Sequence, residues 1–226
     1  MSVFFVTGGT RGIGRAIAER AAAAGHDVFV TGRDDAALDA VRGDRIDGCR
    51  ADVRSWDALA AAAAAAVVRF GRLDVVVANA GIGVHGDLAT GDPEEWRQMV
   101  ETNVVGVALT VKACLPELER THGRIVLIGS VLGHKNVAGS LYGATKWATA
   151  GLAENLRLQV REAGIGVTIV EPGLVVSEFW QNTDAAGPPE TALRPDDVAA
   201  AVLFAAEQPE RVDVNEILLR PRGQPL

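Results

Sequence analysis

Along the whole chain, short runs rich in β-branched and aromatic residues alternate with alanine-rich stretches of helical length, and the first run ends in a glycine-rich turn. The runs are Val3–Thr7, Val28–Thr31, Asp47–Ala51, Leu73–Ala78, Arg124–Gly129, Val167–Val170 and Glu216–Leu219. Between them, Gly12–Ala24, Asp34–Val41, Trp56–Phe70, Thr102–Glu119, Tyr142–Ala163 and Pro195–Glu207 read as helices. Strands that each wait for a helical crossover pair in parallel, and strands apolar on both faces need covering on both sides. The pattern therefore predicts a three-layer, doubly wound α/β fold with a seven-stranded parallel sheet. The length of 226 residues suits a single domain spanning 1–226.

Local punctuation supports these boundaries. Gly25 follows the first helix, Asp92-Pro93 opens a further segment, and Arg194-Pro195-Asp196 starts the last helix. Only the stretch from Gly173 to Arg194, with Gly187-Pro188-Pro189 inside it, lacks a pattern. It follows a strand, where open α/β sheets carry ligand loops, and is expected to form a short substrate flap.

Charge narrows the function classes. Lys and Arg number 22 against 29 Asp and Glu, giving a net charge of −7 with no basic cluster, which argues against nucleic acid as a partner. Cys49 and Cys114 have neither disulfide nor metal-ligand spacing and read as two core thiols of a reducing compartment. The opening Met1–Val6 lacks the basic flank and length of a signal peptide, and no uncharged apolar run approaches the roughly 20 residues of a membrane helix. A cytoplasmic protein without a membrane partner is expected. No complete metal-ligand cluster is in view, so no metal is inferred.

The turn Thr7-Gly8-Gly9-Thr10-Arg11-Gly12-Ile13-Gly14 lies between a strand and a helix. There, backbone N–H groups at a helix N-terminus receive a dinucleotide pyrophosphate, and missing Cβ atoms allow close approach. The second strand ends in Gly32-Arg33, where an acid would accept the ribose hydroxyls of NAD. A guanidinium there favours a 2′-phosphate, and Arg11 can close on it from the other side, so NADP(H) is the expected cofactor. Asp34 and Asp35 stand nearby and weigh against that preference.

Tyr142 and Lys146 are four residues apart on a predicted helix and share a face, twelve residues or more beyond Ser130 at a strand end. A phenol of pKa about 10 is a weak acid-base near neutrality, and a neighbouring ammonium stabilises its phenolate. Together with Thr7-Gly8-x-x-x-Gly12-Ile13-Gly14, Asp52-Val53, Asn79-Ala80-Gly81, Asn103 and Pro172-Gly173, in that order, these residues resemble the short-chain dehydrogenase/reductase family in its single-domain form. The resemblance runs from Val3 to about Leu219.

It implies a Rossmann fold and an NADPH-preferring enzyme interconverting a carbonyl and a secondary alcohol, as in ketoreductases of small or secondary metabolites. By resemblance, Tyr142 is the general acid in reduction, Lys146 lowers its pKa and binds the nicotinamide ribose, and Ser130 hydrogen-bonds the substrate carbonyl. Asn103 holds a water beside the lysine. Gly8, Thr10, Arg11, Gly12, Ile13, Gly14 and Arg33 hold the phosphates, Asp52 and Val53 the adenine, and Asn79, Ala80 and Gly81 lie beside the cofactor, with Asn79 tying neighbouring strands. Pro172, Gly173, Val175 and Ser177 meet the nicotinamide. Ala78 and Ser177 depart from the family's usual asparagine and threonine.

Gly83–Gly86, Val131–Ser140 and Leu174–Trp180 are the expected pocket. Leu132, Leu141, Phe179 and Trp180 suit an apolar substrate, and His134 and Lys135 an acidic one; His134 reads foremost as a loop residue. By the same resemblance, Thr102–Glu119 and Tyr142–Ala163 pair with another subunit in a homodimer or homotetramer. Two other readings stay open: a cofactor-binding sensor or scaffold without turnover, and an isomerase or dehydratase using the same site without net redox.

Overall fold

The computed structural model describes residues 1–183 and 187–224, without the side chain of Asn182. Seven strands, β1 (Val3–Thr7), β2 (Asp27–Gly32), β3 (Ile46–Arg50), β4 (Val75–Ala78), β5 (Arg124–Ile128), β6 (Gly166–Pro172) and β7 (Glu216–Leu219), form one parallel sheet in the order β3-β2-β1-β4-β5-β6-β7. The doubly wound α/β expectation is met. The chain winds outward from β1 in one direction, then restarts at β4 in the other, so the carboxyl ends of β1 and β4 flank the crevice where such sheets bind ligands.

Both faces are covered. Helices α1 (Gly12–Ala23), α2 (Asp35–Asp39) and α7 (Pro195–Ala206) bury Ile17, Leu38 and Val202 against Phe4, Val6 and Val30. On the opposite face, α3 (Trp56–Phe70), α5 (Gly106–Thr121) and α6 (Leu141–Val160) bury Ala62, Val111 and Leu156 against Phe5, Ile125 and Ile169. Alternate residues of the inner strands β1, β2, β4, β5 and β6 thus serve opposite cores, which is why those strands read as apolar runs, while the edge strand β7 leaves Glu216 and Leu218 exposed. Cys114 is buried in the second core and Cys49 is half-buried, both as free thiols.

The helix ends follow the sequence punctuation. Gly25, at φ +89°, turns the chain out of α1. Asp92 accepts a hydrogen bond from the Glu94 N–H at 2.8 Å ahead of Pro93, and the Asp197 carboxylate accepts from the Arg194 N–H at 2.7 Å.

Most element ends shift by one to three residues from the sequence reading, and the departures that matter for the site are at the helix leading into α5, at β4 and in the flap. The helix expected from Thr102 begins at Pro93: α4 (Pro93–Val100) continues through a π turn at Glu101–Val105 into α5. Among α4 residues only Met99 is buried, and the apolar positions Trp96, Met99 and Val100 are confined to its last five residues, too short a stripe to mark the helix from its start. The joined run Pro93–Thr121 is long and apolar enough by composition to cross a membrane, but its apolar side, Val107, Val111 and Leu118, belongs to the core. β4 starts at Val75, because Asp74 turns its carboxylate to the Val3 N–H at 2.8 Å. The flap contains a 3₁₀ turn at Glu178–Asn182 and is closed at its neck by Val175 pairing with Leu193, while its residues 184–186 lie outside the described residues.

Candidate functional site

A cavity of about 730 Å³ opens along the carboxyl ends of β1, β4, β5 and β6. Nearly all of the expected cofactor residues line it: Gly8, Thr10, Arg11, Gly12, Ile13, Arg33, Asp52, Val53, Asn79, Ala80, Gly81, Tyr142, Lys146, Pro172, Gly173, Val175 and Ser177, joined by Ser130. Gly14 and Asn103 are not on its wall and act from behind it.

Gly14 is a packing glycine. A Cβ there would sit 2.2 Å from the Gly8 carbonyl oxygen, so any side chain would push α1 off β1. Gly8 itself has φ +64°, the left-handed turn that aims the following backbone into the crevice. Asn79 braces this corner as expected: its Nδ2 donates to the carbonyls of Thr7 at 2.9 Å and Gly8 at 3.2 Å.

The charges at the cofactor end sort cleanly. Asp34 caps α2 by accepting from the Ala37 N–H at 2.8 Å, and Asp35 faces Arg50 at 3.7 Å. Asp52 is paired with Arg54 at 2.7 Å; the hydrogen bonds from Arg54, and its charge with that of Arg33, hold the carboxyl below its ordinary range. Arg15 and Arg20 pair with Glu19 and Asp196 at 2.7 and 2.9 Å. Arg11 and Arg33 are both exposed on the cavity rim, and their guanidinium groups form no ion pair or hydrogen bond among the described residues. The acids that weighed against a 2′-phosphate are engaged elsewhere, and the two guanidinium groups placed to receive one are free of such pairs. The residues present therefore fit a phosphorylated dinucleotide.

At the reaction end, Ser130 follows β5 and accepts from the Leu132 N–H at 3.2 Å, capping the 3₁₀ turn Val131–Gly133 while also hydrogen-bonding Tyr142. The capping role and the catalytic position belong to the same hydroxyl. Tyr142 and Lys146 share one face of α6, with Lys146 Nζ 5.6 Å from the phenol ring centre. That ammonium donates to the Ile128 carbonyl at 2.9 Å, and burial lowers its pKa to about 8.

The expected lowering of the Tyr142 pKa by Lys146 is not what this arrangement produces. Burial raises the phenol above its ordinary value, opposed only by the hydrogen bond with Ser130. A phenol held in its protonated form through neutral pH is in the state required of a proton donor.

Asn103 is braced by protein groups. Its Oδ1 accepts from the Ile82 N–H at 2.9 Å, while its Nδ2 donates to the Ile82 carbonyl at 2.9 Å and to Thr145 Oγ1 at 3.1 Å. The amide is thus engaged with protein groups, and it ties the loop after β4 to α6. Its position in the π turn fits the pattern of such turns at functional sites.

The walls around Tyr142 are Val131, Leu132, Val137, Leu174, Phe179 and Trp180, with the Phe179 ring 5.3 Å from that of Tyr142. His134, Lys135 and Leu141, offered as pocket residues by the sequence, do not line the cavity. His134 instead turns to the buried carboxylate of Glu171, with Glu216 at 3.6 Å. Gln224 is a wall residue that sequence reasoning missed. Its Oε1 accepts from the Leu174 N–H at 3.0 Å, so the chain's tail braces the loop after β6, and no motif marks it.

The profile of the short chain dehydrogenase family matches residues 2–187. An NADP-dependent 3-hydroxy acid dehydrogenase of Salmonella typhi is 33% identical over 98% of this chain and 96% of its own length. Among solved structures, an alcohol dehydrogenase from Thermococcus sibiricus complexed with 5-hydroxy-NADP superposes with a TM-score of 0.91 at 31% identity, covering 99% of this chain and 98% of the other. Serine dehydrogenase from Escherichia coli superposes at 0.86 with 33% identity, covering 97% of both chains. With the glycine turn, the tyrosine–lysine face and the order of the sheet all in place, the chain belongs to the short-chain dehydrogenase family of oxidoreductases.

Proposed function

We propose that the protein is an NADP(H)-dependent ketoreductase that interconverts a neutral, largely apolar ketone and its secondary alcohol. The observation that carries this reading is the convergence of Ser130, Tyr142 and Lys146 on one end of a cavity whose other end presents two unpaired arginines. The glycine turn and the start of α1 hold the pyrophosphate, Arg11 and Arg33 the 2′-phosphate, and Asp52 and Val53 the adenine. Lys146 and Tyr142 hold the nicotinamide ribose, with Pro172, Gly173, Val175 and Ser177 against the carboxamide. The bound nicotinamide supplies or accepts the hydride.

The chain's own groups do the rest. The Ser130 hydroxyl steadies the carbonyl oxygen as charge grows there, and the Tyr142 phenol gives that oxygen its proton. Lys146 supplies the positive charge that stabilises the phenolate left behind. Asn103 and Thr145 fix α6 against the loop after β4, so that these groups keep their spacing.

The substrate class follows from the walls. Around Tyr142 the described side walls are apolar, and no arginine, lysine or histidine among the described lining residues joins Lys146 there to meet a carboxylate. This separates the proposed substrate from the acids in the names of the relatives. NADPH oxidation is the test, comparing aryl ketones and 3-oxo esters with the matching 3-oxo acids. Turnover favouring the neutral compounds by about tenfold or more in kcat/KM is expected, because a carboxylate would enter an apolar pocket unpaired. Preference for the acids overturns the substrate class, and tight NADPH binding without turnover on any carbonyl overturns the ketoreductase itself.

The outer surface of α4–α6 exposes Val105, Trp147 and Leu158 at 45%, 46% and 50%. Apolar exposure on adjoining helices fits a covering copy of the same chain, and a homodimer or homotetramer is part of this reading. Light scattering on the purified protein is expected to give a multiple of the 23.7 kDa chain mass, reduced by Trp147→Glu with Leu158→Glu. A wild-type monomer at micromolar concentration removes this element.

A further inference from the structure

Behind Lys146 lies an ionisable group that the reaction above does not use. Glu171, near the end of β6, is completely buried. It occupies the same face of the strand as Ile169, toward α6, where an apolar residue would continue the core. The space it fills is made by two glycines flanking Ser130. A Cβ on Gly129 would lie 2.8 Å from the Glu171 Cγ, and one on Gly133 would lie 2.8 Å from its Oε1 and 3.2 Å from the Lys146 carbonyl oxygen. The carboxylate therefore sits beneath the Ser130 turn and against the Lys146 segment of α6.

A carboxylate removed from water is costly unless another charge compensates it. The titratable groups around Glu171 are His134 from the loop after β5, Glu216 from β7 and Lys146 from α6. His134 Nε2 bonds directly to Oε2, with Glu216 at 3.6 Å on its other side, while Oε1 has no hydrogen-bond partner. For Lys146, burial works against its charge, and the negative charge of Glu171 is the influence that works for it.

We propose that Glu171, held in place by His134, is a positioning residue that keeps the buried Lys146 ammonium charged and so sets the alkaline limit of cofactor binding and turnover. The three side chains bring donor atoms close enough to surround a cation. In this arrangement, however, the imidazole and the carboxylate use Nε2 and Oε2 on each other. The inference rests on the reading above that Lys146 holds the nicotinamide ribose.

The test is the dissociation constant for NADPH from pH 6 to pH 10, by fluorescence, for the intact wild type, Glu171→Gln and His134→Gln, with EDTA present. Wild-type binding is expected to weaken as pH rises through about 8, where Lys146 gives up its proton. Loss of the supporting negative charge lets that proton leave earlier. The Glu171→Gln midpoint is therefore expected lower by about one pH unit, making binding about fivefold weaker at pH 8 and unchanged at pH 6. His134→Gln is expected to move the midpoint the same way, because without the imidazole burial drives Glu171 toward its neutral form.

A purely structural role would weaken binding evenly at every pH, and midpoints matching the wild type in both variants overturn the proposal. Should Glu171→Gln fail to fold, His134→Gln at its partly exposed position decides by the same criterion. A wild-type midpoint that moves when EDTA is withdrawn would make the trio a cation site and overturn the proposal as well. Because the readout is binding, failure of the ketoreductase reading shows separately, as absent turnover.

Discussion

Tyr142→Phe is expected to lower NADPH-dependent ketone reduction by about 10³-fold while weakening NADPH binding by no more than about fivefold. The substitution removes one hydroxyl and nothing else. The ring keeps its packing on Phe179 at 5.3 Å, and Ser130 keeps its bond from the Leu132 N–H at 3.2 Å, so the wall of the cavity survives. What disappears is the proton that the carbonyl oxygen has to receive. Steady-state kinetics and cofactor titration on the same preparation separate the two effects, and a variant that turned over normally would remove the phenol from the mechanism. The direction of pH dependence follows from the same burial. A phenol raised above its ordinary pKa is loaded for reduction at neutral pH. In alcohol oxidation it must first release its proton, so oxidation gains as pH rises until Lys146 loses its charge near 8.

The residues that line the proposed site are legible in the sequence because the motif that holds them is built from local pieces. The glycine turn, the four-residue spacing of Tyr142 and Lys146, and Ser130 at a strand end all declare themselves within a helix turn or a single strand-to-helix junction. Seven apolar runs were enough to give the sheet, since a parallel strand buried on both faces has no polar alternation to confuse its reading.

The parts that escaped are those made by the tertiary fold. The apolar positions of α4, Trp96, Met99 and Val100, span little more than one turn, too short a pattern to show that the helix runs on through the π turn that carries Asn103. His134 and Glu171 are 37 residues apart and meet only because the loop after β5 folds over the end of β6. Gln224 reaches Leu174 across 50 residues. A lone histidine, a lone glutamate in an apolar strand and a glutamine near the chain's end carry no spacing from which their contacts could be read. The Tyr142 phenol makes the same point in energetic terms: sequence supplied the cation but not the degree of burial, and burial decides the direction of the shift.

Replacing Arg11 and Arg33 together with alanine is expected to weaken NADPH binding by about a hundredfold and to leave NADH binding nearly unchanged. The two cofactors differ only by the 2′-phosphate, so the comparison isolates the group these side chains are placed to meet. Neither guanidinium has to abandon a protein carboxylate to reach it, whereas Arg15, Arg20 and Arg54 are each committed at 2.9 Å or less. The acids nearby do not replace that attraction with repulsion, because Asp34 is spent on the cap of α2 and Asp52 on Arg54. Both substitutions are needed, since either arginine alone still offers a charge-assisted contact to the phosphate. Exposed charges are also screened by salt, which gives a second readout: wild-type affinity for NADPH should fall more steeply with ionic strength than that of the double variant. Equal wild-type affinities for NADPH and NADH would mean that Gly32-Arg33 closes β2 without reading the cofactor, and that the free guanidinium groups on the rim serve only the protein's surface.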